Sequence, residues 1–243
     1  MLLLARPDRI GSQSMAQFVR DFATLAARSA DGRLDAPAFH RNCRPIWSVL
    51  AAFLKDKSGN VLEVGSGTGQ HIVEFARHAP NIVWWPSDYL ETHLVSIAAW
   101  RRHADLANLR PPTRIDLSDP DWDLPPELAP HGKLLALVCA NVLHIAPWRV
   151  AEGLFAGASR HLRPDGRMFV YGPFMRDGKH TAPSNAAFDA SLRGENPEWG
   201  VRDTGAVAEL AVRNGLSMME TVEMPANNLI LIFAREQSAA GSS

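Results

Sequence analysis

Asn60-Val61-Leu62-Glu63-Val64-Gly65-Ser66-Gly67-Thr68-Gly69-Gln70 is the stretch on which the fold turns. Its first five residues form a short run rich in branched apolar side chains, the pattern of a buried strand. Three glycines follow at alternate positions, and beyond them Ile72, Val73, Phe75 and Ala76 fall at helical spacing. A strand that turns through glycines into a helix lets a ligand approach bare backbone and aims the unpaired N–H groups of the helix start at it. The dinucleotide fingerprint G-x-G-x-x-G needs its third glycine at position 70. Gln70 stands there instead, and the third glycine comes one residue early, at Gly69.

Outward from this stretch, Ile82 to Trp85, Thr113 to Leu117, Leu134 to Ala140 and Arg167 to Tyr171 repeat the apolar strand pattern. Helical spacing separates them through Leu94, Ile97 and Ala98, and again through Val150, Leu154 and Ala158. His161 to Gly166, with Pro164 and Gly166, stops that last helix. Such alternation predicts one α/β domain around a mostly parallel sheet. At the C-terminus, Leu216 to Met224 and Leu229 to Ala234 both read as strands, yet only Pro225 to Asn228 lie between them. Parallel neighbours need a crossover of about a dozen residues, so these two form an antiparallel hairpin. The expected sheet is therefore seven-stranded, mostly parallel, with a C-terminal antiparallel hairpin.

Before the glycine stretch, Phe18, Phe22 and Leu25 predict one amphipathic helix, and Ile46, Val49, Leu50, Phe53 and Leu54 another. The expected organisation is a helical extension over 1–36, the α/β domain over 37–236 and a disordered tail over 237–243. Gly172 to Asp203, rich in Gly, Pro and aromatics, reads as a long irregular binding loop or lid.

Composition narrows the partners. Twenty-five Lys plus Arg against 26 Asp plus Glu leave a net charge of −1, with no basic run, which argues against nucleic acid and anionic membranes. Cys43 and Cys139 are too few for a disulfide scaffold or a Cys-rich zinc site. Their apolar neighbours point to buried free thiols in a reducing compartment. The apolar start, Met1 to Leu4, is broken at Arg6 and is too short for a signal peptide, and no run approaches the roughly 20 apolar residues of a membrane span. A cytoplasmic protein with a small-molecule partner is expected.

The strand from Ile82 ends in Ser87-Asp88, and Asp88 lies 23 residues after Gly65. A carboxylate at that place can take two ribose hydroxyls, a contact that nicotinamide and methionine-derived cofactors share. A short-chain oxidoreductase would add Tyr-x-x-x-Lys. Here Tyr89 and Tyr171 are followed four residues later by His93 and Met175. Glu63-x-Gly65-x-Gly67-x-Gly69 resembles the first motif of class I S-adenosylmethionine-dependent methyltransferases. More narrowly, Arg41-Asn42-x-x-Pro45-Ile46, Asn141-Val142-Leu143-His144-Ile145 and Pro197-Glu198-Trp199-Gly200-Val201-Arg202-Asp203 resemble the bacterial and animal methyltransferase-like family that includes human methyltransferase-like protein 26. The resemblance runs from about Pro37 to Arg235. It implies a Rossmann-like class I methyltransferase fold, S-adenosylmethionine as cofactor and methyl transfer to an O, N or S atom of a small molecule. An NAD-dependent oxidoreductase and a non-catalytic S-adenosylmethionine-binding scaffold are the alternatives.

Carried over residue by residue, the resemblance implies that Gly65, Ser66, Gly67 and Gly69 pass close to the amino-acid end and ribose of the cofactor. Glu63 would order that loop or take the ammonium. Asp88 is implied on the ribose hydroxyls, Tyr89 against the adenine, Asp116 and Leu117 near the adenine amine, and Asn141 near the methionine portion. Arg41, with Asn42 beside it, is expected to reach the cofactor carboxylate through its forked guanidinium. His144 is the candidate base for an acceptor that arrives protonated, since a histidine with an ordinary pKa of about 6.5 is neutral at cellular pH. Its other reading is a hydrogen-bonded wall residue. Tyr171, Phe174 and Trp199, with Asn185 and Phe188, are expected to wall the acceptor. Asn141-Val142-Leu143-His144 does not match the Asn-Pro-Pro-Tyr of nucleic-acid base methylases. Asp116, Asp119, Asp121 and Asp123 read as a solvated acidic loop, so no metal is expected. His71, His78, His103 and His161 read as surface or capping residues.

Overall fold

The glycine-flanked strand lies at the centre of the sheet. In the computed structural model, which describes residues 27–236, a hairpin of β1 (Ala27–Arg28) and β2 (Leu34–Asp35) leads into α1 (Pro37–Leu54). There follow β3 (Gly59–Val64), α2 (Gln70–His78), β4 (Ile82–Asp88), α3 (Glu91–Ala104) and β5 (Thr113–Arg114). The second half holds β6 (Leu134–Ala140), α4 (Trp148–His161), β7 (Leu162–Arg176), β8 (Lys179–His180) and α5 (Pro183–Glu195). It closes with β9 (Arg202–Asp203), α6 (Thr204–Arg213), β10 (Leu216–Met224) and β11 (Asn228–Arg235).

The sheet runs in the order β10-β11-β7-β6-β3-β4-β5, with β8 and β9 added on β7. Strands β3 to β7 pair in parallel, while β11 is antiparallel to both β7 and β10. This is the Rossmann-like α/β sheet with the antiparallel C-terminal pair. The chain moves outward from β3 through β4 to β5, then returns to the other side of β3 with β6. The order therefore reverses between β3 and β6, and a crevice opens beyond their carboxyl ends.

Helices cover both faces, which is why β6 is apolar throughout, with Leu134 to Cys139 all buried. On one face α4 and α6 pack Leu154, Phe155 and Val207 against Leu62, Leu137 and Phe233. On the other, α1 and α2 pack Ile46, Leu50 and Phe75 against Val61, Trp84 and Val138. Each such side chain contributes about 1.5–3 kcal/mol by leaving water.

Four features depart from expectation. β5 stops at Arg114, short of Leu117, because the Asp116 carboxylate turns the chain: its Oδ1 accepts from the Ser118 N–H at 2.9 Å and the Ser118 hydroxyl at 2.6 Å. β7 starts early, at Leu162, but its register jumps from Leu134↔Leu162 to Ala136↔Arg167, so the expected turn survives as a wide bulge. The expected irregular loop over 172–203 contains α5, which starts on Pro183 in its first turn and turns Asn185, Asp189 and Leu192 inward. Proline is a helix starter there rather than a loop signal. Of the expected helical extension, residues 27–36 form the β1–β2 hairpin instead of helix. Leu34 is fully buried; its N–H donates to Ser96 Oγ at 3.0 Å and its carbonyl accepts from Trp100 Nε1 at 2.9 Å, so packing starts ahead of Pro37. The helix expected through Phe18, Phe22 and Leu25 and the tail 237–243 lie outside the described residues. Among the described residues no helix is long and apolar enough to cross a membrane.

Candidate functional site

Gly65, Gly67 and Gly69 all adopt left-handed backbone, with φ of 64°, 57° and 88°, a region that costs an ordinary side chain about 1–2 kcal/mol. Their surroundings separate them. A Cβ on Gly65 would lie 2.5 Å from Val142 Cγ2, and one on Gly69 would lie 2.9 Å from the Ile97 Cα, where α3 closes on the start of α2. A Cβ on Gly67 would meet nothing within 4 Å. Gly67 therefore faces a cleft, which Glu63, Gly65 and Ser66 also line. Gly69, expected at the cofactor, does not line it. Its bare backbone serves helix packing.

Asp88 closes the loop from β4. Its Oδ2 accepts from the Gly67 N–H at 2.8 Å, and its Oδ1 accepts from the Leu90 N–H at 2.9 Å and from His93 Nδ1 at 3.1 Å. The Ser66 N–H donates to Ser87 O at 2.9 Å, which fixes the two strand ends together. Glu63 lies beneath this loop, fully buried, and burial pushes its carboxyl up to about 8, with a Ser66 hydrogen bond opposing and the Asp88 charge adding to the rise. Glu63 Oε2 has no hydrogen-bond partner among the described residues. A buried carboxyl oxygen left unpaired is costly unless a ligand satisfies it.

Tyr89, Asp116 and Leu117 line the same cleft, with the Arg114 guanidinium 4.9 Å above the Tyr89 ring. The acidic loop exposes Asp119, Asp121 and Asp123 and is pinned between them. Trp122 lies in a groove of α4, where its Nε1 donates to Gly153 O at 2.8 Å and its ring fills the place of a Gly157 Cβ. No cluster of three or more His, Cys, Asp or Glu suited to a metal occurs among the described residues.

A second cavity of about 470 Å³, within the roughly 300–1,000 Å³ of small-molecule sites, adjoins the cleft and shares Ala38, Asn141 and Ile145 with it. His144 and Tyr171 line this second space. His144 is buried, its ring 5.5 Å from Phe188 and edge-on to it. Asn141 stands at the junction in left-handed backbone, φ 59°, with its N–H donating to Tyr171 O at 2.8 Å.

Three expectations require correction here. Arg41 and Asn42, expected on the cofactor, line the second cavity and not the cleft; with Ala38 and Pro45 they form one i, i+3, i+4, i+7 face of α1. Phe174 does not wall the acceptor. Strand alternation sends it to the opposite face from Tyr171, into the α4–α6 core. Trp199 is buried behind the wall, packed with Ile145, Leu192 and Phe188.

Two histidines escaped the sequence reading of the cleft. His71 lines it half-buried, with Nε2 2.7 Å from Asn42 Oδ1, and burial lowers its pKa to about 4. His93, on α3, is buried against Asp88. Both lie in the first turn of a helix that follows a cleft-lining loop, and that position was the available signal.

A family model described as "Protein of unknown function (DUF938)" matches residues 33–235. The chain belongs to the DUF938 family. Among solved structures, this DUF938 chain is similar to an O-methyltransferase family protein from Burkholderia thailandensis, with a TM-score of 0.67, 18% identity, and 83% of this chain and 58% of that one covered. It is similar also to the mitomycin 7-O-methyltransferase MmcR, with a TM-score of 0.64, 16% identity and coverage of 80% and 54%. A third is human N-acetylserotonin methyltransferase in complex with S-adenosylmethionine, with a TM-score of 0.65, 13% identity and coverage of 82% and 53%. The likeness shows a class I methyltransferase fold, and the DUF938 chain spans somewhat more than half the length of these structures.

Proposed function

We propose that this DUF938 protein is an S-adenosylmethionine-dependent methyltransferase acting on an O, N or S atom of a small molecule in the cytoplasm. On the three motifs quoted above, we place it in the narrower group that includes human methyltransferase-like protein 26. The observation that carries the reading is the unpaired Glu63 Oε2 in a cleft that also offers Asp88 and the open backbone of Gly67. An ammonium would satisfy Glu63, ribose hydroxyls suit Asp88, and the missing Cβ of Gly67 leaves room between them. These are the parts of S-adenosylmethionine, and the solved human relative holds that molecule.

S-adenosylmethionine supplies a sulfonium methyl whose in-line transfer needs no acid for the leaving group. The chain's own work is then positioning and exclusion of water. Glu63, Asp88 and Tyr89 hold the cofactor in the cleft. Asn141 and Ile145 bound the passage to the second cavity, where the acceptor sits. His144 takes the proton of an acceptor that arrives as a hydroxyl or thiol. Buried free thiols, with Cys43 pushed up to about 12 by burial, accord with a reducing compartment.

Calorimetric titration with S-adenosylmethionine, S-adenosylhomocysteine and NAD tests this. Micromolar binding of the first two and none of NAD is expected. NAD binding alone, or no binding, overturns it. In a screen with labelled methyl donor, His144→Ala is expected to keep S-adenosylhomocysteine affinity and lose turnover, whereas undiminished turnover would leave His144 a wall residue. Binding without methylation of any acceptor would make the protein a scaffold.

A further inference from the structure

We infer that the second cavity binds its acceptor as a small planar carboxylic acid, with the carboxylate held by Arg41 and the Tyr171 hydroxyl. The inference deepens the methyltransferase reading and rests on it for the word acceptor; the anion site itself stands on the following observations.

Charge comes first. Arg41 lines the cavity, no Asp or Glu does, and Arg41 has no ion-pair partner among the described residues. A guanidinium left facing a cavity without a counter-ion favours an anion, and its two parallel N–H groups match a carboxylate. One cation balances one negative charge, which fits a carboxylate better than a phosphate dianion.

Hydrogen-bond direction points the same way. Asn228 Nδ2 donates to the Tyr171 oxygen at 2.9 Å. The Asn42 amide is oriented from behind. Its Oδ1 accepts from His71 Nε2 at 2.7 Å, so that oxygen is already engaged away from the Tyr171 hydroxyl. With its oxygen accepting from Asn228, Tyr171 has its O–H hydrogen left to give. Tyr171 lines the cavity, so that hydrogen is available to an anionic oxygen there.

The walls supply the shape. The rings of Phe188, His144 and Tyr171 bound the space, and flat apolar faces of this kind accept a planar ring. Asn141 and Ile145 lie on the side toward the cleft, His144 lines only the second cavity, and Arg41 is exposed on α1. A bifunctional molecule is thereby oriented, anion outward at Arg41 and nucleophile inward.

The hydroxybenzoate isomers, with their methyl esters and amides as neutral partners, are the probes. They are titrated calorimetrically against wild type, Arg41→Met and Tyr171→Phe, with and without saturating S-adenosylhomocysteine. At least one acid is expected to bind about tenfold or more tightly than its ester and amide, as a charge-assisted hydrogen bond requires. Arg41→Met should erase that preference and leave S-adenosylhomocysteine affinity unchanged. Arg41 is exposed and methionine is a good helix former, so folding is not at stake. Tyr171→Phe should weaken the acid severalfold and the ester not at all. Neutral probes binding as well as acids, a preference that survives Arg41→Met, or no binding by any acid at millimolar concentration overturns the inference. So does a loss of S-adenosylhomocysteine affinity in Arg41→Met, which would return Arg41 to the cofactor. Failure of S-adenosylhomocysteine to bind while the acid preference holds would sink the cofactor reading and leave the anion site standing.

Discussion

Glu63 shows what one residue's burial does to both stability and binding. The unfolded chain releases its proton near the ordinary carboxyl value of 4.5, while the folded protein holds it to about 8. Stability from this group is therefore full at acid pH and declines as pH rises through about 8. Binding of an ammonium has the opposite sign, because it needs the carboxylate. S-adenosylhomocysteine affinity is expected to rise with pH from about 6 and level off above about 8, with a proton released on binding near neutrality. Glu63→Gln should flatten the profile and weaken binding at the upper end. Calorimetry over that pH range reads both, and a flat wild-type profile would remove Glu63 from the ammonium. At this scale the residues that line the cleft are legible in the sequence where spacing dictates position, as for Glu63, Gly67 and Asp88. Arg41 and Asn42 were not, since only the orientation of α1 says which of two cavities their face meets.

At the scale of elements, α4 works as a platform for the cleft. Gly153 and Gly157, one turn apart, leave a groove into which Trp122 fits, and a Cβ on Gly153 would lie 1.9 Å from the Leu117 carbonyl. Backbone cannot step aside as a side chain does. Gly153→Ala should cost about 1–3 kcal/mol and weaken S-adenosylhomocysteine binding, because Leu117 and Ser118 line the cleft. Gly194→Ala is the control: it lies in α5 with nothing within 4 Å of an added Cβ, and should be neutral or stabilise by up to about 1 kcal/mol. Thermal unfolding with calorimetry decides; an unchanged midpoint for Gly153→Ala would remove the platform. The acidic run over 116–123 keeps Asp119, Asp121 and Asp123 exposed, as its carboxylates lead one to expect. What the sequence does not show is that Trp122 and two distant glycines order the loop.

For the whole molecule, the crevice at the β3–β6 reversal joins loops from both halves of the chain. A ligand bound there restrains the ends of β3, β4 and β6 together. Saturation with S-adenosylhomocysteine at about a hundred times its Kd should add about 2.7 kcal/mol and raise the unfolding midpoint by roughly 5–10 °C. NAD should leave it unmoved. A thermal scan without a shift from S-adenosylhomocysteine would separate the fold from its proposed cofactor.

Sequence alone determined the features that depend on local spacing. The strand–glycine–helix stretch, the alternation that makes a parallel sheet, and the four residues that force β10 and β11 antiparallel all follow from short-range geometry. The glycine loop and Asp88 came with them, because a parallel sheet brings successive strand ends to one edge. Tertiary structure alone decided what depends on which faces meet. It buried Phe174 while leaving Tyr171 in a cavity, ordered α5 from Pro183, gave Gly69 to helix packing, and set His71 behind Asn42. These outcomes rest on contacts between residues distant in the chain, and no local pattern encodes the angle at which one element lies on another.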